Sequence, residues 1–254
     1  MAGSEFKRVR LGGLATLCAT RQQLAAQMVA DARANQARDQ LPKLVFSSNG
    51  QGLALANRNP AYGALMQQAD YIHADGQSVV LASRWLTRTP LPERIATTDF
   101  FHDAALAASA AGLRFYFLGG PEEHNQQVVE AVRQLYPQLI ICGRHHDRFS
   151  PAQEPAIIAD ILACQTDVLW ISMGKPQQEE FCLRNQQALR GVSWLKPCGG
   201  LFKFLIGIDP RAPRLMQQMG LEWLYRLSRE PRRLFWRYFI SNFQAAWFLL
   251  TRTG

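Results

Sequence analysis

The sequence predicts an α/β fold, a mostly parallel sheet with helices on both faces, followed by a helical carboxyl-terminal appendage. Three observations predict it. Short apolar runs with polar or glycine-rich exits alternate with stretches of helical period through most of the first two hundred residues. The exits collect acids, amides and glycines, as the carboxyl edge of an open α/β sheet does. After about Gly207 the strand pattern stops and the chain turns basic and aromatic. The expected division is an α/β core over residues 1–206 and an amphipathic appendage over residues 207–254.

Taken in order, Lys7 to Cys18 reads as a short strand or hairpin, and Arg21 to Ala37 as a helix whose alanines and leucines recur at helical spacing. "KLVFSSN" is a strand with a polar exit, and a helical stretch near Gly50 to Gln68 follows. "ADYIHADG" is a strand ending in an acid, and a helix runs from about Gln77 to Leu86. "LRFYFLGG" ends in a Gly-Gly-Pro turn before a helix from about Glu122 to Leu135. "QLIICGRHH", "TDVLWISMGKP" and "SWLKPCGG" supply further strands, with helices near Pro151 to Cys164 and Gln177 to Leu189 between them. Beyond Gly207, Pro213 and Pro231 break the chain into two or three amphipathic helices. The apolar run between Arg237 and Arg252 is too short to span a bilayer and contains Asn242 and Gln244. Arginines interleaved with Trp, Phe and Leu fit a helix lying in a lipid headgroup layer, or one packed on a core with a solvated arginine face.

Composition narrows the function classes. Five scattered cysteines without CxxC spacing indicate neither a zinc site nor a disulfide framework, and suit a reducing cytoplasm. The opening "MAGSEF" is short and polar, lacks a hydrophobic signal core, and contains a "GSEF" that could be a cloning remnant, so it is set aside from the fold. A net charge of +8 favours an anionic partner: a phosphorylated substrate, an anionic membrane or nucleic acid. The chain has no P-loop and no GxGxxG, the usual marks of nucleotide hydrolysis and of dinucleotide binding by a dehydrogenase.

Several candidate residues fall at expected strand ends: Ser48, Asn49, Asp75, Gly119 and Gly120, His145-His146, Gly174-Lys175-Pro176 with Gln178, and Gly199 with Gly200. Glycine turns before helices leave backbone N–H groups for an anion such as a diphosphate, although Gly-Gly-Pro is also ordinary turn chemistry. Asp75 can cap the following helix, or act as a general base toward an attacking hydroxyl. Gln178 can offer a donor and an acceptor to a sugar hydroxyl. The two histidines, adjacent on a strand, are expected on opposite faces and so ill placed to share a metal ion. No DxD pair exists to chelate a divalent ion on a nucleotide diphosphate.

In order, "SSN", "HADGQSVVLAS", "PERIATTDF", "FYFLGGPEE", "GRHHDRF", "ISMGKPQQEEF", "CGGLFKFLIG", "RAPRLMQQMGLEWLYRL" and "EPRR" resemble the successive signatures of the WecG/TagA/CpsF glycosyltransferases, from about Lys7 to Arg237. The resemblance implies a Rossmann-like core of the GT-E type with a helical appendage. It implies an inverting, metal-independent enzyme without cofactor that moves a sugar from a UDP-sugar or similar donor onto a polyprenyl-diphosphate-linked sugar, at the inner face of the cytoplasmic membrane. It assigns the base to Asp75, the active-site asparagine to Asn49, the motif glutamine to Gln178 and the arginine of an "ER" element to Arg94. Arg214, Arg226 and Arg233 inherit the closing of the site and the holding of the lipid diphosphate. Self-association that hides the appendage is a further implication.

The chain departs from the usual family pattern where "SSN" replaces Thr-Pro-Asn or Asn-Ala-Asn-like sequences, near Arg148 where a tyrosine is usual, and at Lys203, where the family carries an aspartate. The last two fall where the donor base is expected to bind, and a lysine for an acid reverses the local charge. Two other readings compete: a nucleotide-sugar-binding protein without transferase activity, and a nucleic-acid-binding protein using the basic tail, whose binding would be steeply salt-dependent. Retained Asp75 and Gln178 weigh against the first. The large apolar residues among the arginines weigh against the second, so nucleic acid is not an expected partner.

Overall fold

The computed structural model describes residues 6–254, and of positions 214, 218, 233 and 237 the backbone alone. The chain begins with β1 (Arg8–Leu11), β2 (Leu14–Leu17), α1 (Arg21–Ala34), β3 (Lys43–Ser48), α2 (Gly50–Arg58), α3 (Pro60–Gln67), β4 (Tyr71–Ala74) and α4 (Gln77–Leu86). It continues with α5 (Thr97–Ala111), β5 (Arg114–Gly119), α6 (Glu122–Leu135), β6 (Ile140–His145), α7 (Glu154–Ala163), β7 (Val168–Ser172), α8 (Gln177–Asn185), β8 (Trp194–Pro197) and α9 (Leu201–Leu205). Three helices end it: α10 (Arg214–Gln218), α11 (Glu222–Arg229) and α12 (Pro231–Thr251). Six strands form one sheet in the order β4-β3-β8-β7-β5-β6, and β1 and β2 form a separate hairpin. The pairs β3–β8, β8–β7, β7–β5 and β5–β6 are parallel. The fold is therefore Rossmann-like α/β, as the alternation of periods predicts.

Every expected strand forms. Helix α5 is the addition: its alanine-rich sequence follows the Thr97-Thr98-Asp99 start, and the buried Phe100, Phe101, Ala104, Ala105 and Ala108 repeat at helical spacing. The helical stretch expected near Gly50 to Gln68 forms as two helices. Pro60 opens α3 and lacks the N–H that α2 would need to continue, so Asn59 ends one helix and caps the next, accepting from the Tyr62 N–H.

By contact, the chain divides into two compact units, one of Arg21–Phe46 with Thr97–Asp209, the other of residues 6–20 with Ser47–Ala96 and Pro210–Gly254. In the first, Phe115–Leu118 of β5 and Val168–Ile171 of β7 are buried without alternation, the pattern of strands covered on both faces. Phe101 of α5 meets Trp170 edge to face at 5.0 Å between ring centres. Asp167 ties the amino-terminal edge: one oxygen accepts from the Arg114 N–H, the other from Arg38.

The second unit joins sequence extremes. Helix α12 packs on α2, where Gly50 lies against Ala245 and Asn242. The hairpin is sewn to the last residues, with Gly13 N–H donating to Arg252 O and Gly254 N–H to Arg10 O. Pro210–Gly254 thus shares a unit with the first hairpin and with α2, α3, β4 and α4. Leu234, Ala245 and Leu249 of α12 are buried, whereas Phe235, Trp236, Phe239, Phe243, Trp247 and Leu250 are exposed. Among the described residues no helix is long and apolar enough to cross a membrane.

Candidate active site

In the second unit the candidate residues converge on the end of β4. Asp75 follows that strand, and its N–H and that of Gly76 donate to the carbonyl of Ser48 at the end of β3. Asn49 uses both ends of its side chain. Its Oδ1 accepts from the Gly52 N–H and caps α2, while its Nδ2 donates to Asp75 Oδ2 at 3.0 Å. The amide orientation follows, because a backbone N–H can only donate and a carboxylate can only accept. Asp75 is not itself the N-cap of α4; that position is Gly76. Gly76 belongs there because a side chain at 76 would stand 3.1 Å from Asn49 Cα, tighter than ordinary packing. The Ser48 hydroxyl is buried beside this cluster without a hydrogen-bond partner.

Arg94 reaches the same carboxylate residue from another direction. Its Nε donates to Asp75 O at 2.7 Å and its Nη2 to Glu222 Oε2 at 2.7 Å. The other Glu222 oxygen pairs with Arg211 Nε at 3.1 Å, and Arg211 also donates to Gln217. Sequence reading selects Arg94 but neither Glu222 nor Arg211 as a site residue. Their only signal is position, Arg211 in "RAPR" and Glu222 in "GLEWLYRL". Arg226 lies half-buried on α11; Arg214 and Arg233 begin α10 and follow the start of α12, and their side chains are outside the described part of the structure.

In the first unit a second group of candidates is stitched together at the carboxyl ends of β5, β7 and β8. Gly120 N–H donates to Ser172 O, Ser172 Oγ donates to Gly199 O at 2.6 Å, and Gly199 N–H donates to Gln178 Oε1 at 3.0 Å. Gln178 is buried, and its Nε2 donates to the buried Glu179 Oε1 at 2.9 Å. Both ends of this amide are thus occupied within the protein. Lys175 Nζ stands 3.3 Å from the same Glu179 oxygen. Lys196, fully buried on β8, donates to Pro197 O. Burial pushes the Cys198 thiol up to about 12, Lys196 opposing the shift, and raises Cys182 as well.

The glycine turns separate by cause. Gly119 has φ +124°, and a side chain there would fall inside van der Waals distance of Ser172 O, so packing alone requires glycine. The helix after it opens with Glu122 and Glu123, which already complement the dipole of α6 and disfavour a second anion. No described atom lies within 4 Å of where a side chain at Gly199 or Gly200 would start, so that turn faces open space. Lys203 is exposed on α9.

The two histidines differ from expectation. Strand β6 ends at His145, so alternation of faces stops there, and the rings of His145 and His146 lie 4.5 Å apart. His145 Nδ1 bonds His146 O, and His146 Nδ1 accepts from the Arg148 N–H. Among the described residues no three His, Cys, Asp or Glu side chains gather as a metal site requires.

A family model described as "Glycosyl transferase WecG/TagA/CpsF family" matches residues 9–253 of this chain.

Proposed function

We propose, from a chain that belongs to the WecG/TagA/CpsF glycosyltransferases, an inverting hexosyltransferase that uses a UDP-sugar and a polyprenyl-diphosphate-linked sugar acceptor. Membership itself makes the protein a glycosyltransferase of cell-wall or polysaccharide synthesis. The observation that carries the finer reading is Asp75: a carboxylate at a strand end, one residue before the N-cap of α4, oriented through Oδ2 by Asn49 and held at its backbone by Ser48 and Arg94.

In this reading the Asp75 carboxylate takes the proton of the acceptor hydroxyl as its oxygen attacks the anomeric carbon. The new C–O bond forms as the bond to the diphosphate breaks on the opposite face, which inverts the centre. The departing UDP carries away the electron pair, and the appendage arginines with backbone N–H groups balance its charge without a metal ion. Asn49 and Arg94 align the base. Lys203, where the family has an acid, belongs to selection of the donor base.

The test is transfer measured with a panel of UDP-sugars in EDTA, for the native chain and for Asp75→Asn. The substitution should lower turnover by roughly a hundredfold or more with donor affinity nearly unchanged. Native transfer that survives the substitution would remove Asp75 from the role. The exposed aromatic face of α12 supports contact with an anionic membrane. Flotation with anionic but not neutral liposomes is the expected outcome, and no flotation would count against it.

A further inference from the structure

We infer that Glu179 is a positioning residue: its buried carboxylate locks the Gln178 amide so that Oε1 holds the Gly199 N–H and fixes the turn at the end of β8. Glutamate in a first helical turn ordinarily sits at the surface, where complementing the dipole is a modest gain. Glu180, one residue on, is exposed in that way. Glu179 is instead fully buried, with Oε2 making no hydrogen bond and Oε1 shared between Gln178 and Lys175. Removing a carboxylate from water carries a desolvation penalty far larger than the dipole's return, and a single ion pair with one oxygen left unbonded repays it only in part. A group kept at such a cost needs another reason, and the geometry supplies one.

A glutamine amide can rotate by half a turn and exchange its oxygen for its nitrogen. Here a carboxylate, which only accepts, stands at one end, and a backbone N–H, which only donates, stands at the other. The flipped amide would set oxygen against oxygen and N–H against N–H. With the carboxylate present only one orientation bonds at both ends. Gly199 is then held from two sides, its N–H by Gln178 and its C=O by the Ser172 hydroxyl. We place this turn beside the donor, and that placement alone rests on the proposed function.

Amide hydrogen exchange at Gly199 tests it without reference to activity. In Glu179→Gln, which conserves volume, Gly199 should lose protection by about tenfold, while Leu169 and Trp170 in β7 keep theirs. The exchanged pair Gln178→Glu with Glu179→Gln restores one carboxylate against one amide, and should return protection to within about threefold of the native value. Unchanged protection in Glu179→Gln would overturn the inference, as would an exchanged pair no better than the single variant. Equal loss at Leu169 and Trp170 would show general destabilisation and also overturn it. In transfer assays the single variant should raise the donor KM about tenfold with kcat within twofold. Native protein that transfers no sugar would defeat the proposed function and leave the exchange result standing.

Discussion

Glu222→Gln is the substitution with the most to say about the second unit. It keeps the side chain's volume and removes the charge that joins Arg94 to Arg211. Arg94, Glu222 and Arg211 are 19%, 15% and 25% exposed. They sit between surface pairs, worth about 0.2–1 kcal/mol, and fully buried pairs, whose breaking costs about 3–5 kcal/mol. A loss of about 2 kcal/mol is therefore expected. In a chain of this size that lowers the unfolding temperature by roughly 4–8 °C. Circular dichroism melts of the native protein, Glu222→Gln and the exposed control Glu123→Gln provide the comparison. Arg211→Gln, alone and combined with Glu222→Gln, completes a double-mutant cycle with an expected coupling of about 1 kcal/mol. The activity consequence runs through Arg94, which also holds the Asp75 carbonyl. Loosening it should cost kcat about tenfold. A melting temperature within 1 °C of native, with unchanged kcat, would refute the reasoning.

Three other outcomes are expected. The Cys198 thiol ionises near 12 in the folded chain against an ordinary 9.0. Its share of stability is intact below pH 9 and is lost as pH rises toward 12, about 4 kcal/mol at most, so urea midpoints should fall above pH 9, and less steeply in Cys198→Ala. Gly119→Ala should destabilise by about 3 kcal/mol or more, read by urea unfolding, because both the backbone angle and the Ser172 carbonyl oppose a side chain. Asn49→Asp should preserve the cap of α2 yet move the acid limb of the transfer pH profile upward by at least about one unit, since a second carboxylate beside Asp75 makes the pair share a proton. An unmoved profile would show that Asn49 does not act on Asp75.

Strands were legible because buried parallel strands are written as unbroken apolar runs, and "LRFYFLGG" and "TDVLWIS" admit little else. Boundaries set by proline were legible in principle too, since Asn59-Pro60 carries both a stop and a cap. Helix α5 was harder. Its start lies inside a motif that draws attention to chemistry rather than to period. The candidate acid was visible as a strand exit, but its partners were not. Arg94 and Glu222 are separated by 128 positions and Gln178 and Gly199 by 21. No periodicity in one sequence encodes such pairings, because they depend on where the folded elements return.

Position 49 shows why residue type matters more at this site than local propensity. As helix caps, aspartate, serine and asparagine are nearly equivalent, so α2 alone does not choose among them. Asp75 does. Aspartate at 49 would present a second negative charge 3 Å from the first, and serine is too short to accept from Gly52 while donating to a carboxylate one strand away. Asparagine is the one capping residue of this length with a donor at its second end. The same rule governs Gln178, whose oxygen takes a backbone N–H while its nitrogen faces a carboxylate. In each unit one amide satisfies a backbone donor and an acid together, Asn49 at the exit of β3 and Gln178 in the first turn of α8, where it reaches the turn after β8.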